Sequence, residues 1–332
     1  MRERPDGATS APSRPSASSI AARARKAAGI GKSASEPRTL AGIAISNPDK
    51  LYFPEANITK GDLAQYYVDV AERLLPHIEN RPLSLVRCPD GWQGQCFYQK
   101  NADPAVNAAV ARIDVPESTG KTATYMGAGS PAALAALVQW GVIEMHPWGS
   151  RRPRLDRPDR LIFDFDPDPE VPWNELATAV TLLRTLLDEA GLVSFLKTTG
   201  GKGLHVVLPI RATLSWDEAK SFTRSVAVFM VRTFPDRFVA TITKSRRKGK
   251  ILIDFFRNAE GATAVAPYVV RSRANAPVAM PIAWSELETD VRGAHFNVRN
   301  ARERLASLQS APWAEFFTVS QSITAAIRKR FP

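Results

Sequence analysis

Cysteine is almost absent from this sequence: among 332 residues only Cys88 and Cys96 occur. Two thiols exclude a disulfide-stapled scaffold and leave too few sulfur ligands for a cysteine-based zinc site. A reducing cytoplasm is the setting that such usage leads us to expect. Long hydrophobic runs are also missing. None approaches the roughly 20 apolar residues that cross a bilayer, so no membrane-spanning segment is expected. Acids are the third shortage. Asp and Glu number 33 against 44 Lys and Arg, a net charge of +11. A surplus of that size suits a polyanionic partner, most commonly nucleic acid; solubility alone is the plainer explanation.

The first 38 residues lack aromatic side chains and carry +5 of the net charge. Rich in Ser, Ala, Pro and Arg, they cannot bury enough apolar area to offset their ordering entropy, so residues 1–38 are expected to form a disordered basic tail. Their composition superficially resembles an organelle transit peptide, although nothing else points to an organelle. Residues 39–332 are expected to hold the folded domain. Hydrophobic residues make up 44% of the chain, enough for a sizeable core.

Thr59 and Asp62 form a capping box ahead of Leu63, Tyr66, Tyr67, Val70 and Leu74, which recur at helical spacing. Ser130-Pro131 opens a second helix reaching Trp140. Pro172 starts a third, which Gly191 ends, and Ser215 with Glu218 caps a fourth running to about Phe234. Strand-like runs lie between them at Leu161–Phe165, Val193–Lys197, Leu204–Leu208 and Ile251–Phe256. The alternation predicts an α/β or α+β sheet domain.

The run Leu161-Ile162-Phe163-Asp164-Phe165-Asp166-Pro167 carries two acids in an otherwise apolar strand. Residues two apart share a face, so Asp164 and Asp166 project side by side and repel unless a cation lies between them. A strand ending in an Asp-Pro turn is the plain alternative. Asp254, inside Ile251-Leu252-Ile253-Asp254-Phe255-Phe256, shifts the balance, because a lone buried acid costs several kcal/mol unless it is paired or metal-bound. Three acids on two apolar strands fit a site for two divalent cations, one activating an attacking hydroxyl and the other holding a triphosphate. Ion pairs with nearby Arg or Lys remain the competing explanation.

Thr199-Gly200-Gly201-Lys202-Gly203-Leu204-His205 lies between two strand-like runs. Its glycines let backbone approach a phosphate and Lys202 supplies charge. It is not a Walker A loop, since neither Ser nor Thr follows the Lys and no helix starts there; a solvated hairpin is the bland reading. His205 enters an apolar strand, where a satisfied core histidine is equally open. Arg271 and Arg273, two apart after Ala266-Pro267-Tyr268, suit bidentate phosphate contacts if the segment is extended. Lys244-Ser245-Arg246-Arg247-Lys248-Gly249-Lys250, just before Asp254, is either a solvated loop or a nucleic-acid contact.

Taken in order, these pieces resemble the polymerase domain of bacterial ligase D, within the archaeo-eukaryotic primase superfamily. The resemblance covers roughly residues 40–320. It runs through Asn47-Pro48-Asp49-Lys50, Tyr52-Phe53-Pro54, Thr59-Lys60-Gly61-Asp62, Arg81-Pro82-Leu83-Ser84 and Glu144-Met145-His146-Pro147-Trp148-Gly149. The Asp164/Asp166 strand, the Gly-Gly-Lys-Gly loop with His205, and Ile253-Asp254 through Tyr268 complete it.

The resemblance implies a primase-polymerase fold of α+β type, with central mixed or antiparallel sheets flanked by helices. It makes residues 39–332 a catalytic domain with Asp164, Asp166 and Asp254 as ligands of two Mn²⁺ or Mg²⁺ ions and His146 beside them. Thr199, Gly201, Lys202 and His205 would line the nucleotide site, and Arg271 and Arg273 would hold the triphosphate. Lys50 and Lys60 match a pocket for a 5′-phosphate on the downstream strand. Phe97 and Tyr98 match an aromatic platform beside the templating base, with ordinary core as the alternative. Lys244, Arg246, Arg247 and Lys248 would touch DNA. Thr199 departs from the usual Ser, and its extra methyl would alter nucleotide contacts.

The function so implied is templated gap filling and end extension, with preference for ribonucleotides, in bacterial non-homologous end joining. Expected partners are DNA ends with a 5′-phosphate, NTP or dNTP, Ku and a DNA ligase. A monomer that pairs two ends, in the bacterial cytoplasm at the nucleoid, completes the picture. The initiating Met and the length lead us to expect a free-standing polymerase. Three rivals stand beside this reading. A haloacid-dehalogenase-like phosphatase also uses Asp-x-Asp, but Asp168 stands where that family wants Thr or Val. A non-catalytic end-bridging module explains the charge and leaves the acids without a role. A primase making primers from scratch would act on unprimed single strands.

Overall fold

The computed structural model describes residues 37–116 and 120–332. The expected tail therefore lies outside the described residues, except that Arg38 already pairs with Ile45 in a short hairpin, β1 (Arg38–Leu40) with β2 (Ile43–Ile45). A second hairpin, β3 (Leu51–Phe53) with β4 (Ile58–Thr59), leads into the helix Lys60–Asp69. The Thr59 capping box forms as expected. The helical run breaks at Val70 and resumes as Ala71–Ile78, so one expected helix is two.

A five-stranded sheet follows: β5 (Leu83–Arg87), β6 (Phe97–Gln99), β7 (Ala111–Pro116), β8 (Thr122–Gly127) and β9 (Val142–Pro147). Its strands pair antiparallel, with β9 along β5. The helix Pro131–Gln139, capped by Ser130, buries every residue from Ala133 to Val138.

The second sheet has six strands in the order β13-β14-β10-β12-β11-β15. They are β10 (Arg160–Pro167), β11 (Phe195–Thr198), β12 (Leu204–Pro209), β13 (Phe238–Val239), β14 (Ile251–Asp254) and β15 (Pro281–Ile282). All neighbours run antiparallel except β13 with β14. Helices Trp173–Glu189 and Trp216–Thr233 flank it, the latter with its Ser215–Glu218 capping box. Antiparallel sheets with flanking helices are α+β, which resolves the α/β alternative.

Leu161, Phe163 and Phe165 on β10 are fully buried while Ile162, Asp164 and Asp166 are half-buried. That period of two aims the apolar set at the core and the acids at the opposite face. Buried tyrosines then tie the core to the site. Tyr66 donates its hydroxyl to the Tyr268 carbonyl at 2.9 Å, and the Tyr67 hydroxyl accepts from Val270 N at 3.0 Å, one residue before Arg271.

Cys88 and Cys96 are bonded to each other, with Cα atoms 4.3 Å apart. One clip across eight residues is no scaffold, but it was not part of the expectation of a reducing setting, because spacing alone does not report pairing. Among the described residues, no helix is long and apolar enough to cross a membrane.

Candidate active site

The registers of four strands bring one transverse row together. Asp164 on β10 lies opposite Asp254 on β14 and opposite His205 on β12, and His205 lies opposite Lys197 on β11. Cross-strand partners share a face and stand within side-chain reach, so the row reads Asp254, Asp164, His205, Lys197. Asp166 follows Asp164 on the same face. Ahead of this face lies a cavity of about 500 Å³, lined by Asp164, Asp166, Thr199, Lys202, His205, His146, Arg271 and Arg273 among others. That size suits a nucleotide-sized ligand.

Each acid is met by a cation of the protein. Arg257 bridges two of them, with Nη2 3.3 Å from Asp164 and Nε 3.3 Å from Asp254. Asp166 receives Lys202 at 3.3 Å and a close contact from Arg247. The ion-pair explanation thus holds for the protein's own side chains, and no three ligating side chains among the described residues stand close enough to cage an ion. Burial pushes the Asp254 carboxyl above its ordinary value, with Asp164 adding to the rise and Arg257 opposing it. Burial also opposes charge on Asp164, but His205 and Arg257 outweigh it and hold that carboxyl well below the carboxylate range.

The donor chemistry suits a hard divalent cation, since carboxylate oxygens are its preferred ligands. Arg257 and Lys202 keep 41% and 49% of their side chains exposed, so either can swing aside when such a cation arrives. Asp254 itself does not line the cavity; Arg257 stands in front of it.

The loop from Thr199 to Gly203 is closed by its own hydrogen bonds. Thr199 donates its hydroxyl to the Gly203 carbonyl at 3.0 Å and accepts from Gly201 N at 3.2 Å. The hydroxyl closes the loop, which accounts for any hydroxyl residue serving there. A Cβ at Gly203 would stand 2.4 Å from the Phe165 carbonyl oxygen, and Gly200 has a φ of +66°, so neither position takes a side chain. Burial, and then Lys197, push the His205 imidazole down to about 4, so near neutral pH it is uncharged, with Nε2 3.4 Å from Asp164.

Arg271 and Arg273 both line the cavity. Their segment is a turn rather than an extended strand, with Arg273 N bonding the Arg271 carbonyl at 2.8 Å. Arg271 is aimed by Glu144, a residue of the Glu144-Met145-His146 motif for which the sequence suggested no role. The buried Glu144 carboxylate accepts from Arg271 Nε at 2.8 Å and from Ser272 N at 2.7 Å, and sits 2.8 Å from His146 Nε2. Burial lowers the His146 pKa, with Glu144 opposing the shift. Glu144 was findable: it lies two residues before His146 on β9, hence on the same face. Arg257, three residues past Asp254, and buried Lys197 were also missed.

Phe97 and Tyr98 are 41% and 69% exposed, which excludes the core alternative. Successive strand residues face opposite ways, and only Tyr98 lines the cavity, its ring 6.2 Å from His146. Phe97 lies under the Arg87 guanidinium at 5.2 Å.

Lys50 and Lys60 gather at a separate place. Lys60 is buried and donates to Gln139 at 2.8 Å and to the Ser46 carbonyl at 3.2 Å; Lys50 pairs with Asp90 at 2.7 Å. Burial, and then the charge of Lys50, lower the Lys60 pKa to about 8. In the basic loop Lys244, Arg246 and Lys248 are exposed, whereas Arg247 turns in to Asp166.

An acidic row on an antiparallel sheet, beside a glycine-lysine loop and paired arginines, defines a primase-polymerase type of nucleotidyltransferase. The family model described as LigD, primase-polymerase domain, matches residues 59–313. The chain is 39% identical over 291 residues to the multifunctional non-homologous end joining protein LigD of Pseudomonas aeruginosa, covering 87% of this chain and 34% of that protein. It is 34% identical over 264 residues to its counterpart in Mycobacterium tuberculosis H37Rv, covering 77% of this chain and 34% of that one. The solved polymerase domain of Mycobacterium tuberculosis ligase D, in complex with DNA, superposes with a TM-score of 0.78 at 30% identity, over 85% of this chain and 99% of that one. The chain belongs to the LigD primase-polymerase domain family. It spans about a third of the length of these full-length relatives.

Proposed function

We propose that this chain adds nucleotides to a DNA 3′-hydroxyl opposite a template during the joining of broken ends. The observation that carries the proposal is that Asp164, Asp166 and His205 line a cavity with Lys202, Arg271 and Arg273, while Asp254 lies opposite Asp164 on the neighbouring strand. Asp164, Asp166 and Asp254 would hold divalent cations that, once bound, acidify the primer hydroxyl and neutralise the triphosphate. Lys202, Arg271 and Arg273 offset charge on the departing pyrophosphate, so catalysis is chiefly positioning and charge stabilisation. His146 would lie beside the cations and the incoming nucleotide, and Tyr98, which lines the same cavity, would stack beside the templating base. Preference for ribonucleotides and manganese, partnership with Ku and a ligase, a monomer pairing two ends, and a place in the bacterial cytoplasm belong to this proposal.

The test is primer extension on a gapped duplex with a 5′-phosphate, comparing NTP with dNTP and Mn²⁺ with Mg²⁺. Incorporation favouring NTP and Mn²⁺ is expected. Bridging of DNA ends without any incorporation would leave only an end-holding module, and synthesis on unprimed single strands would point to a primase.

Lys50 and Lys60 bind the downstream 5′-phosphate in this reading. A Lys50→Ala/Lys60→Ala variant is expected to fill gaps with equal efficiency whether or not that end is phosphorylated. The preference should also fade as pH rises. With its pKa near 8, Lys60 carries its proton below that value and loses it above, so discrimination falls between about pH 7 and 9. A preference that survives both changes places the phosphate elsewhere.

DNA affinity should be salt-dependent, each phosphate contact contributing about −0.9 to the log–log slope. Replacing Lys244, Arg246 and Lys248 together by Ala is expected to flatten that slope by about 2 to 3 units in a titration by anisotropy. An unchanged slope would remove the loop from the interface.

A further inference from the structure

Cys88 and Cys96 are the next pair in the register that sets Arg87 against Phe97, so their bond ties off the β5–β6 pair. β6 is a strand of three residues at the edge of its sheet, and its Phe97 and Tyr98 are exposed. So short and exposed a strand buries little that would hold it in place. One end is followed by the bridge of Asn101 to Tyr125; the other is fastened by the disulfide. Tyr98, two residues past Cys96, is the β6 residue that lines the catalytic cavity.

The loop between the two sulfurs is held by other means as well. Cys88 N donates to the Gly141 carbonyl at 2.8 Å, Trp92 N to the Tyr52 carbonyl at 3.0 Å, and Trp92 Nε1 to Glu55 at 3.0 Å. Within that loop, the Pro89 carbonyl and the Asp90 carboxylate accept from Lys50 at 2.8 and 2.7 Å. Opening the bond therefore leaves the seat of Lys50 pinned and frees the start of β6. The sulfurs also differ in access. Cys88 is fully buried, whereas Cys96 is half-buried behind the exposed Gln93, Gly94 and Gln95. An external thiol or disulfide meets Cys96 first.

We infer that Cys88 and Cys96 form a reversible thiol–disulfide site that sets the order of the Tyr98 platform; the consequence for catalysis rests on the reading of Tyr98 as the stack for the templating base. Closure proceeds by exchange with a low-molecular-weight disulfide. The Cys96 thiolate attacks it and releases one external thiol; Cys88 then attacks the Cys96 sulfur of the mixed disulfide and releases the second. Each departing thiolate takes up the proton that a cysteine gave up. Two protein thiols are oxidised and one external disulfide is reduced to two thiols. A dithiol runs the sequence backwards.

The test compares the full chain equilibrated with glutathione disulfide and the same protein after dithiothreitol. Alkylation read by mass should label neither cysteine in the first state and both in the second. Amide hydrogen exchange over residues 97–99 should quicken about tenfold on reduction. The efficiency of templated gap filling should fall about tenfold, while the preference for a phosphorylated downstream end stays. Reoxidation should restore both exchange and efficiency. Cys96→Ser, at the half-buried position, should match the reduced protein under either treatment. Cysteines that alkylate after glutathione disulfide overturn the site, as does exchange at 97–99 that ignores the bond. Exchange that responds while gap filling does not overturns the role given to the platform. Should neither state incorporate nucleotide, the functional reading fails and exchange alone still decides the site.

Discussion

Asp254→Asn is expected to lower primer extension by at least about a thousandfold while DNA affinity stays within about twofold of the parent. Asp254 is the residue for which charge and fold conflict most visibly. Its carboxyl is driven above the ordinary value by burial, with Asp164 and Asp166 adding to the rise. A carboxyl whose folded pKa is raised costs stability once pH passes above its unfolded value, so removing the charge relieves repulsion at pH 7. Asn keeps the geometry and can still accept from Phe256 N, a bond now 2.8 Å long. The variant should therefore melt no lower than the parent. That combination separates lost chemistry from lost fold. Robust extension by Asp254→Asn would show that the acids serve Arg257 and nothing else.

Arg257→Ala is the matching counter-test. Removing the guanidinium leaves Asp164 and Asp254 facing one another without it, so the cation-free protein should lose stability and gain affinity for Mn²⁺. Calorimetric titration with Mn²⁺ checks this, and a lower affinity would mean that Arg257 helps to build the site.

Much of this arrangement was legible because acids in apolar strands are conspicuous. Asp164, Asp166 and Asp254 stand out by burial cost alone, and the helix starts at Thr59, Ser130 and Ser215 announced themselves through capping chemistry. What could not be read were contacts between elements distant in sequence. Arg247 was expected with its loop neighbours to touch DNA, yet its fork reaches Asp166, 81 residues away. Arg271 and Arg273 were expected on an extended segment; they stand instead in a turn, shortly after Tyr268, which has a φ of +66° and whose carbonyl accepts the Tyr66 hydroxyl. Glu144 is a different case, a period-of-two relation to His146 that was present in the sequence and passed over.

Glu144→Ala should then have the second largest effect, and on two readouts at once. The carboxylate is buried, with its side chain 4% exposed, and holds Arg271, His146 and Ser272 together. Removing one partner of a buried pair leaves the other uncompensated, at a cost of about 3 kcal/mol or more. The nucleotide KM should rise about 10- to 100-fold, because Arg271 loses the bond that aims it at the triphosphate. Glu144→Gln keeps one acceptor and should fall between. Acid sensitivity supplies an independent check. Burial opposes charge on Glu144, but His146, Arg271 and Ser272 outweigh it and hold the carboxyl well below its ordinary value. A depressed folded pKa gives stability that is complete above the unfolded value, near about 4.3, and is lost as pH falls below it. The parent should therefore out-melt Glu144→Gln at pH 7 and converge with it in acid. A folded Glu144→Ala with unchanged KM would mean that Arg271 finds its orientation without the carboxylate, and the nucleotide site would have to be drawn around Arg273 and Lys202 instead.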